Sequence, residues 1–261
     1  MGGHAGGVAD ETLVGGRNNA GVSRRGETVR RKMSARSPFV HAYLPHLEEA
    51  GFEGAPRVLR VDSGVEVLSY LAGEVPADPE WVPGKGNPLT AGMRSDEALV
   101  ALGELLRELH SASAGFRPPG VVLEDGEIMP HGDLGPWNTV YRDGRPVAFI
   151  DWDACGPTTP LLDVAAAAWG FVPLESDRQL RETGFEVLPD LGARLRLFAD
   201  AYGLEDRRGL VPALVQAKLR QAGQVSRWGL GARDSAVSLE FFADELRWLA
   251  TRTDDFERAL S

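Results

Sequence analysis

Two short stretches of the sequence hold the residues whose types and spacing can do chemistry. Residues 131–138 read HGDLGPWN, which places Asp133 and Asn138 five positions apart in a loop marked by glycine and proline. Asp151 follows thirteen residues after Asn138, with Asp153 two positions further on. Carboxylate and amide oxygens suit Mg²⁺, which commonly takes one or two carboxylates together with nucleotide phosphate oxygens and water. Asp133 is then free to accept a hydrogen bond from a substrate hydroxyl, and this inventory matches the needs of phosphoryl transfer.

A predicted β-hairpin positions the two stretches relative to each other. Its strands are predicted at Asn138–Tyr141 and Pro146–Ile150, and Asp143-Gly144 is a strong turn signal between them. Because a hairpin returns the chain to its starting point, the carboxylate at its far end comes back beside the loop at its beginning.

This arrangement resembles the protein-kinase-like phosphotransferases, and within them the aminoglycoside phosphotransferase and choline-kinase branch. HGD stands where protein kinases have H-R-D, and DWD stands in place of D-F-G. The resemblance implies that Asp133 is the catalytic base and that His131 orients the loop. It also implies that Asn138 and Asp151 hold Mg²⁺, with Asp153 as a second ligand or a support for the first. A protein kinase is disfavoured because no A-P-E segment or activation loop follows.

The order of predicted elements fits the two-lobed, α+β, protein-kinase-like fold that the resemblance implies. Residues 1–10 are rich in glycine and are predicted to be disordered. Residues 11–72 form a small β-rich N-lobe that binds nucleotide, and residues 73–261 form a larger, mainly helical C-lobe with the catalytic loop and the acceptor site. The predicted helices cover about 38–50, 95–110, 162–170, 191–202, 209–228 and 235–251.

A glycine- and asparagine-rich loop near the N-terminus resembles the loop that covers the nucleotide in these enzymes. Small residues let backbone N–H groups approach phosphates, and asparagine tolerates positive φ. The alternative is an ordinary hairpin loop. The residues predicted to contact nucleotide here are Gly15, Gly16, Asn18 and Asn19.

The strand that follows departs from the family pattern, because no lysine occupies the expected position. Aligning Val29 with the preceding apolar residue of the family places Arg30 where the phosphate-binding lysine stands. Arg30 and Lys32 share one face of the strand, so either can reach the nucleotide, and Arg30 is the expected choice. Arg31 is expected to lie at the surface.

Two other parts of the N-lobe bear on nucleotide binding. The next helix should offer a glutamate, but it has Val40 and His41 near the expected position. The sequence therefore gives no support for the usual lysine–glutamate ion pair.

Residues 67–73 are predicted to form the hinge that meets the purine, with Ser69 and Leu71 as contacts.

Composition and charge exclude several functional classes. Hydrophobic residues make up 43% and charged residues 25% of the 261 residues, and no apolar run approaches the length of a membrane span. One cysteine and no secretory leader favour a cytoplasmic protein. A net charge of −10 argues against nucleic-acid binding. Residues 1–72 carry net +1 and residues 73–261 carry −11, which favours polyphosphate on one side and a neutral or cationic acceptor on the other.

The sequence therefore predicts a Mg²⁺-dependent kinase that moves a phosphoryl group from ATP or GTP onto a hydroxylated small molecule, such as an antibiotic. One alternative is a metabolic kinase for choline, a sugar or an amino alcohol. Another is a non-catalytic kinase-like protein that binds a toxin or antibiotic and confers immunity.

Overall fold

The computed structural model of the chain describes residues 11–13, 21–76, 78, 82–83, 85–118, 120–227 and 231–261. An antiparallel sheet forms the first lobe, with the strand order β1-β2-β3-β5-β4. One helix, α1, lies between β3 and β4 in the chain. The bounds are β1 Glu11–Thr12, β2 Ser23–Arg25, β3 Thr28–Lys32, α1 Ser37–Glu49, β4 Val58–Asp62 and β5 Val65–Ser69.

The second lobe is mainly helical and contains one two-stranded hairpin, β6–β7. Short 3₁₀ turns at Pro136–Asn138 and Trp152–Ala154 flank that hairpin on its two sides. The bounds are α2 Asp96–Ser113, β6 Thr139–Arg142, β7 Arg145–Phe149, α3 Pro160–Phe171, α4 Asp177–Thr183, α5 Leu191–Tyr202, α6 Leu210–Gln224, α7 Ala232–Ala250 and α8 Thr253–Leu260.

Helix α2 shows how local sequence builds this lobe. Ser95 caps the helix by accepting a hydrogen bond from the N–H of Ala98 at 3.1 Å, and acidic residues fill the first turn. Its leucines recur at spacings of three and four, so they share one face, and that face is buried in the core. The buried leucines are Leu99, Leu102, Leu106 and Leu109.

Backbone and side-chain contacts join the two lobes at several points, including one from the segment after β5 and one from α1. Glu74, just beyond β5, exchanges two backbone hydrogen bonds of 2.8 Å with Tyr141 of β6. From α1, the buried hydroxyl of Tyr43 donates to the carbonyl of Met129, and its ring packs edge-on against Trp152. Helix α1 is therefore anchored to the second lobe beside the 151–153 stretch.

The two-lobed α+β architecture predicted from the sequence is confirmed. Sequence patterns did not predict α4 and α8, since α4 is only seven residues long and α8 has eight residues and buries only Phe256 and Leu260. The lobe boundary at residue 73 stays a prediction. Within the described ranges, the helices lack the combined length and apolar character that a membrane span requires.

Candidate functional site

Loop 131–138 lies directly against turn 151–155. Gly132 has a φ of +83°, and a Cβ atom there would lie 2.2 Å from the carbonyl oxygen of Ala154. Only glycine permits both the left-handed backbone and this close approach. Beyond the hairpin, the N–H of Ile150 donates to the carbonyl of Asn138 at 2.9 Å, which sets Asp151 beside the end of the loop.

His131 is a buried, neutral residue at the start of the loop. Its Nε2 donates to the carbonyl of Ile150 at 2.8 Å, and its ring packs 4.6 Å from the ring of Trp152. Burial lowers the pKa of His131 to about 4. In that neutral form its Nδ1 is an acceptor, and the N–H of Asp133 lies 3.4 Å away. His131 thus ties the loop to the end of the hairpin.

Asp133 and Asn138 are held together by hydrogen bonds within loop 131–138. Asn138 is buried, and its Nδ2 donates both to Asp133 Oδ2 at 3.0 Å and to the Asp133 carbonyl at 2.9 Å. Asp133 keeps solvent-exposed surface, yet it lies deep among protein atoms. This partial desolvation and the nearby charge of Asp151 raise the pKa of Asp133 to about 6, against hydrogen bonds from Asn138 and Trp137 that lower it.

The side chains of Asp151 and Asp153 both contact Arg31 of β3. Asp151 takes a left-handed backbone with φ +64°, which turns the chain out of β7. Arg31 Nη2 lies 2.8 Å from Asp153 Oδ1, and Nη1 lies 3.4 Å from Asp151 Oδ1. Burial raises the pKa of Asp151, and Arg31 partly offsets that rise. Burial lowers the pKa of Arg31, but the carboxylates of Asp153, Glu66 and Asp151 outweigh it and hold that pKa above its ordinary value.

The other side of Arg31 contacts a carboxylate inside the N-lobe. Arg31 Nε donates to Glu66 Oε1 at 2.5 Å, and Glu66 of β5 is fully buried. His41 of α1 contacts the second Glu66 oxygen, Oε2, through its Nε2. Strand pairing explains the contact, since Arg31 and Glu66 stand opposite each other in the β3–β5 register.

The basic residues of β3 are placed differently from the sequence-based expectation. Arg31, which was expected at the surface, is the one that reaches the two carboxylates. Arg30 pairs in register with Val67, and Lys32 is exposed at the strand end. Successive side chains alternate between faces, so a one-residue error in the register assigned from Val29 exchanged the inward and outward sets. Arg31, rather than Arg30 or Lys32, therefore lies beside Asp151 and Asp153, and which of the three contacts nucleotide stays a prediction.

The remaining predicted nucleotide contacts fall into two groups. Gly15, Gly16, Asn18 and Asn19 lie outside the described residues. Ser69 ends β5, where its Oγ accepts a hydrogen bond from the N–H of Arg57 at 2.8 Å. Leu71 follows in the connection between the lobes, and in the described part of the chain its backbone N–H and carbonyl form no hydrogen bond.

Sequence reasoning missed Glu66 and His41. The signal for Glu66 was a single acidic residue inside the apolar run of β5, between Val65 and Val67. Since a carboxylate is seldom buried without a cationic or hydrogen-bonding partner, such a residue predicts one on a neighbouring strand or helix.

Fold and site together define a two-lobed, kinase-like protein with a carboxylate–amide pair beside an acidic turn. The sequence model of the phosphotransferase enzyme family (APH) matches residues 127–198, which include the loop, the hairpin and the acidic turn. The trifolitoxin immunity protein of Rhizobium leguminosarum bv. trifolii is 33% identical over 260 residues, covering 94% of this chain and 92% of that protein. The chain therefore belongs to the phosphotransferase enzyme family.

Solved structures agree on the fold. A choline/ethanolamine kinase family protein from Mesorhizobium loti superposes with a TM-score of 0.61 at 20% identity, over 98% of this chain and 92% of that chain. The aminoglycoside phosphotransferase APH(3'')-Id from Streptomyces rimosus, in complex with ADP and streptomycin, gives 0.52 at 16% identity over 94% of each chain. An APH(2'') enzyme in complex with GDP and kanamycin gives 0.54 at 14% identity, over 95% of this chain and 93% of that chain.

Proposed function

We propose that this chain is an O-phosphotransferase that moves the terminal phosphoryl group of ATP or GTP onto a hydroxyl of a small molecule. One observation carries the proposal: Asp133 is fixed by two hydrogen bonds from Asn138, with the charge of Asp151 nearby, in a kinase-like fold. Phosphoryl transfer depends mainly on in-line positioning and charge neutralisation, and this arrangement supplies groups for both.

In this proposal Asp133 accepts the proton of the attacking hydroxyl. A carboxyl group with a pKa of about 6 is mostly ionised at neutral pH, yet it is a stronger base than an ordinary aspartate. His131 acts on the loop alone, because both its ring nitrogens face the backbone of Ile150 and Asp133. Asn138 fixes the carboxylate orientation through Asp133 Oδ2.

The residues present fit a Mg²⁺ ion. Because Asn138 uses its Nδ2 toward Asp133, its amide oxygen is the atom left for a cation, and Asp151 adds a carboxylate 3.4 Å from its nearest arginine nitrogen. Two oxygen donors together with nucleotide phosphates are a common Mg²⁺ environment. Asp153, held by Arg31, is placed to support these two. A bound Mg²⁺ would neutralise charge on the phosphoryl oxygens.

The nucleotide is proposed to lie between the lobes, above these groups. Arg31 offers its terminal nitrogens to phosphate, and a guanidinium can span two phosphate oxygens. The backbone N–H and carbonyl of Leu71, which form no hydrogen bond within the described ranges, suit the edge of a purine. Two structural relatives were solved with ADP and with GDP, which supports a nucleotide donor without choosing between the bases.

The acceptor is proposed to be a hydroxylated toxin or antibiotic that is neutral or cationic. The relative that is 33% identical is an immunity protein against trifolitoxin, and two structural relatives were solved with streptomycin or kanamycin. The charge of −11 on residues 73–261 favours such acceptors over polyanions.

Asp133→Asn tests the catalytic proposal, with Asp143→Asn as a matched control. Asp143→Asn makes the same chemical change at an exposed residue of the hairpin turn. The φ of Asp143 is +51°, which asparagine also tolerates. Asp133→Asn should lower transfer from radiolabelled ATP or GTP to a panel of hydroxylated antibiotics by about 10²–10⁴. Nucleotide affinity, measured by calorimetry, should stay within about threefold for both variants, since Asp133 faces the acceptor. Transfer by Asp133→Asn at the rate of the control would refute the assignment.

A non-catalytic immunity protein is the second candidate, favoured by the name of that relative. The two candidate functions can be separated in cells that express either wild-type protein or Asp133→Asn. The cells are challenged with any toxin against which the wild-type protein protects. Equal protection by both proteins would favour binding alone, whereas loss of protection with Asp133→Asn would favour phosphorylation.

A further inference from the structure

Arg31 divides its guanidinium between two sets of carboxylates. Its inner nitrogen, Nε, donates to Glu66 inside the N-lobe at 2.5 Å. Its terminal nitrogens reach the acidic turn, where Nη2 lies 2.8 Å from Asp153 and Nη1 lies 3.4 Å from both Asp151 and Asp153. Contacting Glu66 through Nε while Nη1 and Nη2 reach the second lobe requires an arginine, because a lysine ammonium has a single nitrogen.

Glu66 is the centre of the inner set, and its two oxygens serve different elements. Oε1 accepts from Arg31 of β3 and, at 3.2 Å, from the hydroxyl of Ser37 at the start of α1. Oε2 contacts His41 one turn further along α1. Glu66 has no exposed surface, so its carboxylate is stabilised by Arg31, Ser37 and His41 rather than by bulk water.

We propose that Glu66 and His41 are positioning residues that hold Arg31 for the nucleotide phosphates, an inference that rests on the function proposed above. Without Glu66, the whole guanidinium is free to move onto Asp151 and Asp153. There it would neutralise the carboxylate meant for the metal and withdraw the cation meant for phosphate. With Glu66 holding Nε, the terminal nitrogens can exchange the weak 3.4 Å contact to Asp151 for phosphate oxygens while the side chain stays in place.

His41 extends this arrangement to helix α1. Because His41 and Ser37 both contact Glu66, the position of α1 determines where the carboxylate stands, and α1 is itself anchored to the second lobe through Tyr43. The phosphate-facing arginine is therefore coupled to lobe orientation through Glu66.

The test is a double-mutant cycle on nucleotide affinity, measured calorimetrically with Mg²⁺–ATP and Mg²⁺–GTP in the absence of acceptor. Glu66→Gln removes the charge and keeps the size, and Glu49→Gln makes the same change on the exposed end of α1. Glu66→Gln should raise the Kd about tenfold and raise the nucleotide KM more than it lowers kcat, whereas Glu49→Gln should change neither. His41→Ala should raise the Kd by a smaller factor.

The decisive comparison is made in an Arg31→Ala background. If Glu66 acts through Arg31, adding Glu66→Gln there should change the Kd no further. Equal effects of Glu66→Gln with and without Arg31, or a lowered Tm with an unchanged Kd, would assign Glu66 a merely structural role and overturn the inference. Glu66→Asp, which keeps the charge, replaces Glu66→Gln if the latter fails to fold. Wild-type protein that binds neither nucleotide would instead overturn the proposed function, and the inference with it.

Discussion

Opposing influences act on the ionisation of Asp133, and their balance sets its pKa. Desolvation and the charge of Asp151 raise its pKa, while hydrogen bonds from Asn138 and Trp137 lower it, and the result is about 6. In the proposed mechanism Asp133 acts as the carboxylate. We therefore expect activity above that pKa and its loss as the pH falls through it.

We expect kcat/KM to fall by about half at pH 6 and by about tenfold at pH 5, relative to its value at neutral pH, because kcat/KM reports ionisation of the free enzyme. The measurement is a pH–rate profile from about pH 5 to 8, with the acceptor varied. Nucleotide Kd over the same range serves as the control for ionisation of the nucleotide itself. A profile that stays flat down to pH 5 would contradict the role of Asp133.

At the same scale, the three basic residues of β3 are distinguishable by mutation. Arg31→Ala should raise the nucleotide KM and lower kcat, since it removes the side chain that lies 2.8 Å from Asp153. Arg30→Ala should be much milder, because the strand alternation turns Arg30 to the opposite face. Steady-state kinetics with ATP and GTP check both variants. A larger effect from Arg30→Ala would restore the register assigned from Val29.

At the scale of elements, the site depends on two loops pressed together rather than on any one helix. Loop 131–138 and turn 151–155 approach so closely that Gly132 has no room for a side chain. Asp151, with its left-handed backbone, re-aims the chain between β7 and the following turn. Strained backbone of this kind persists where the surrounding structure holds it in place.

Gly132→Ala tests this packing, with Gly126→Ala as its control. Both glycines have φ near +80°, but a Cβ at Gly126 meets open space whereas one at Gly132 lies 2.2 Å from a backbone oxygen. The left-handed backbone alone costs about 1–2 kcal/mol in each variant. We expect Gly132→Ala to lower the free energy of unfolding beyond that and to reduce transfer, as urea unfolding and the transfer assay report. Two variants of equal stability would argue against tight packing of the loop.

At the scale of the molecule, charge is distributed unevenly, with net +1 on residues 1–72 and −11 on residues 73–261. We expect such a field to attract cationic acceptors to residues 73–261 and to keep polyanions away. The same field is screened by salt, with a Debye length of about 10 Å at 0.1 M ionic strength.

The KM for a cationic acceptor should therefore rise several-fold between about 0.05 and 0.5 M salt. Acceptor kinetics at saturating nucleotide measure this, with a neutral acceptor as the comparison whose KM should change little. An enzyme that prefers a polyanionic acceptor would refute the charge argument while leaving the phosphotransferase proposal intact.

What the sequence by itself determined is the local part of the site. Asp133, Asn138 and Asp151 come together because a short hairpin joins them, and hairpin and loop signals depend on neighbouring residues. The two-lobed fold followed from the order of such signals and from the resemblance of the motif. Their roles in catalysis and metal binding remain predictions.

Only the tertiary structure decided which basic residue contacts the carboxylates of Asp151, Asp153 and Glu66. Arg31 meets Glu66 across 35 residues and Asp153 across 122, and no local pattern encodes either contact. The face of β3 that carries Arg31 is set by pairing with β5, and a register error of one residue turns every side chain to the other face. Long-range strand pairing therefore determined that Arg31 contacts the site. Short-range turns had already brought Asp133, Asn138 and Asp151 together.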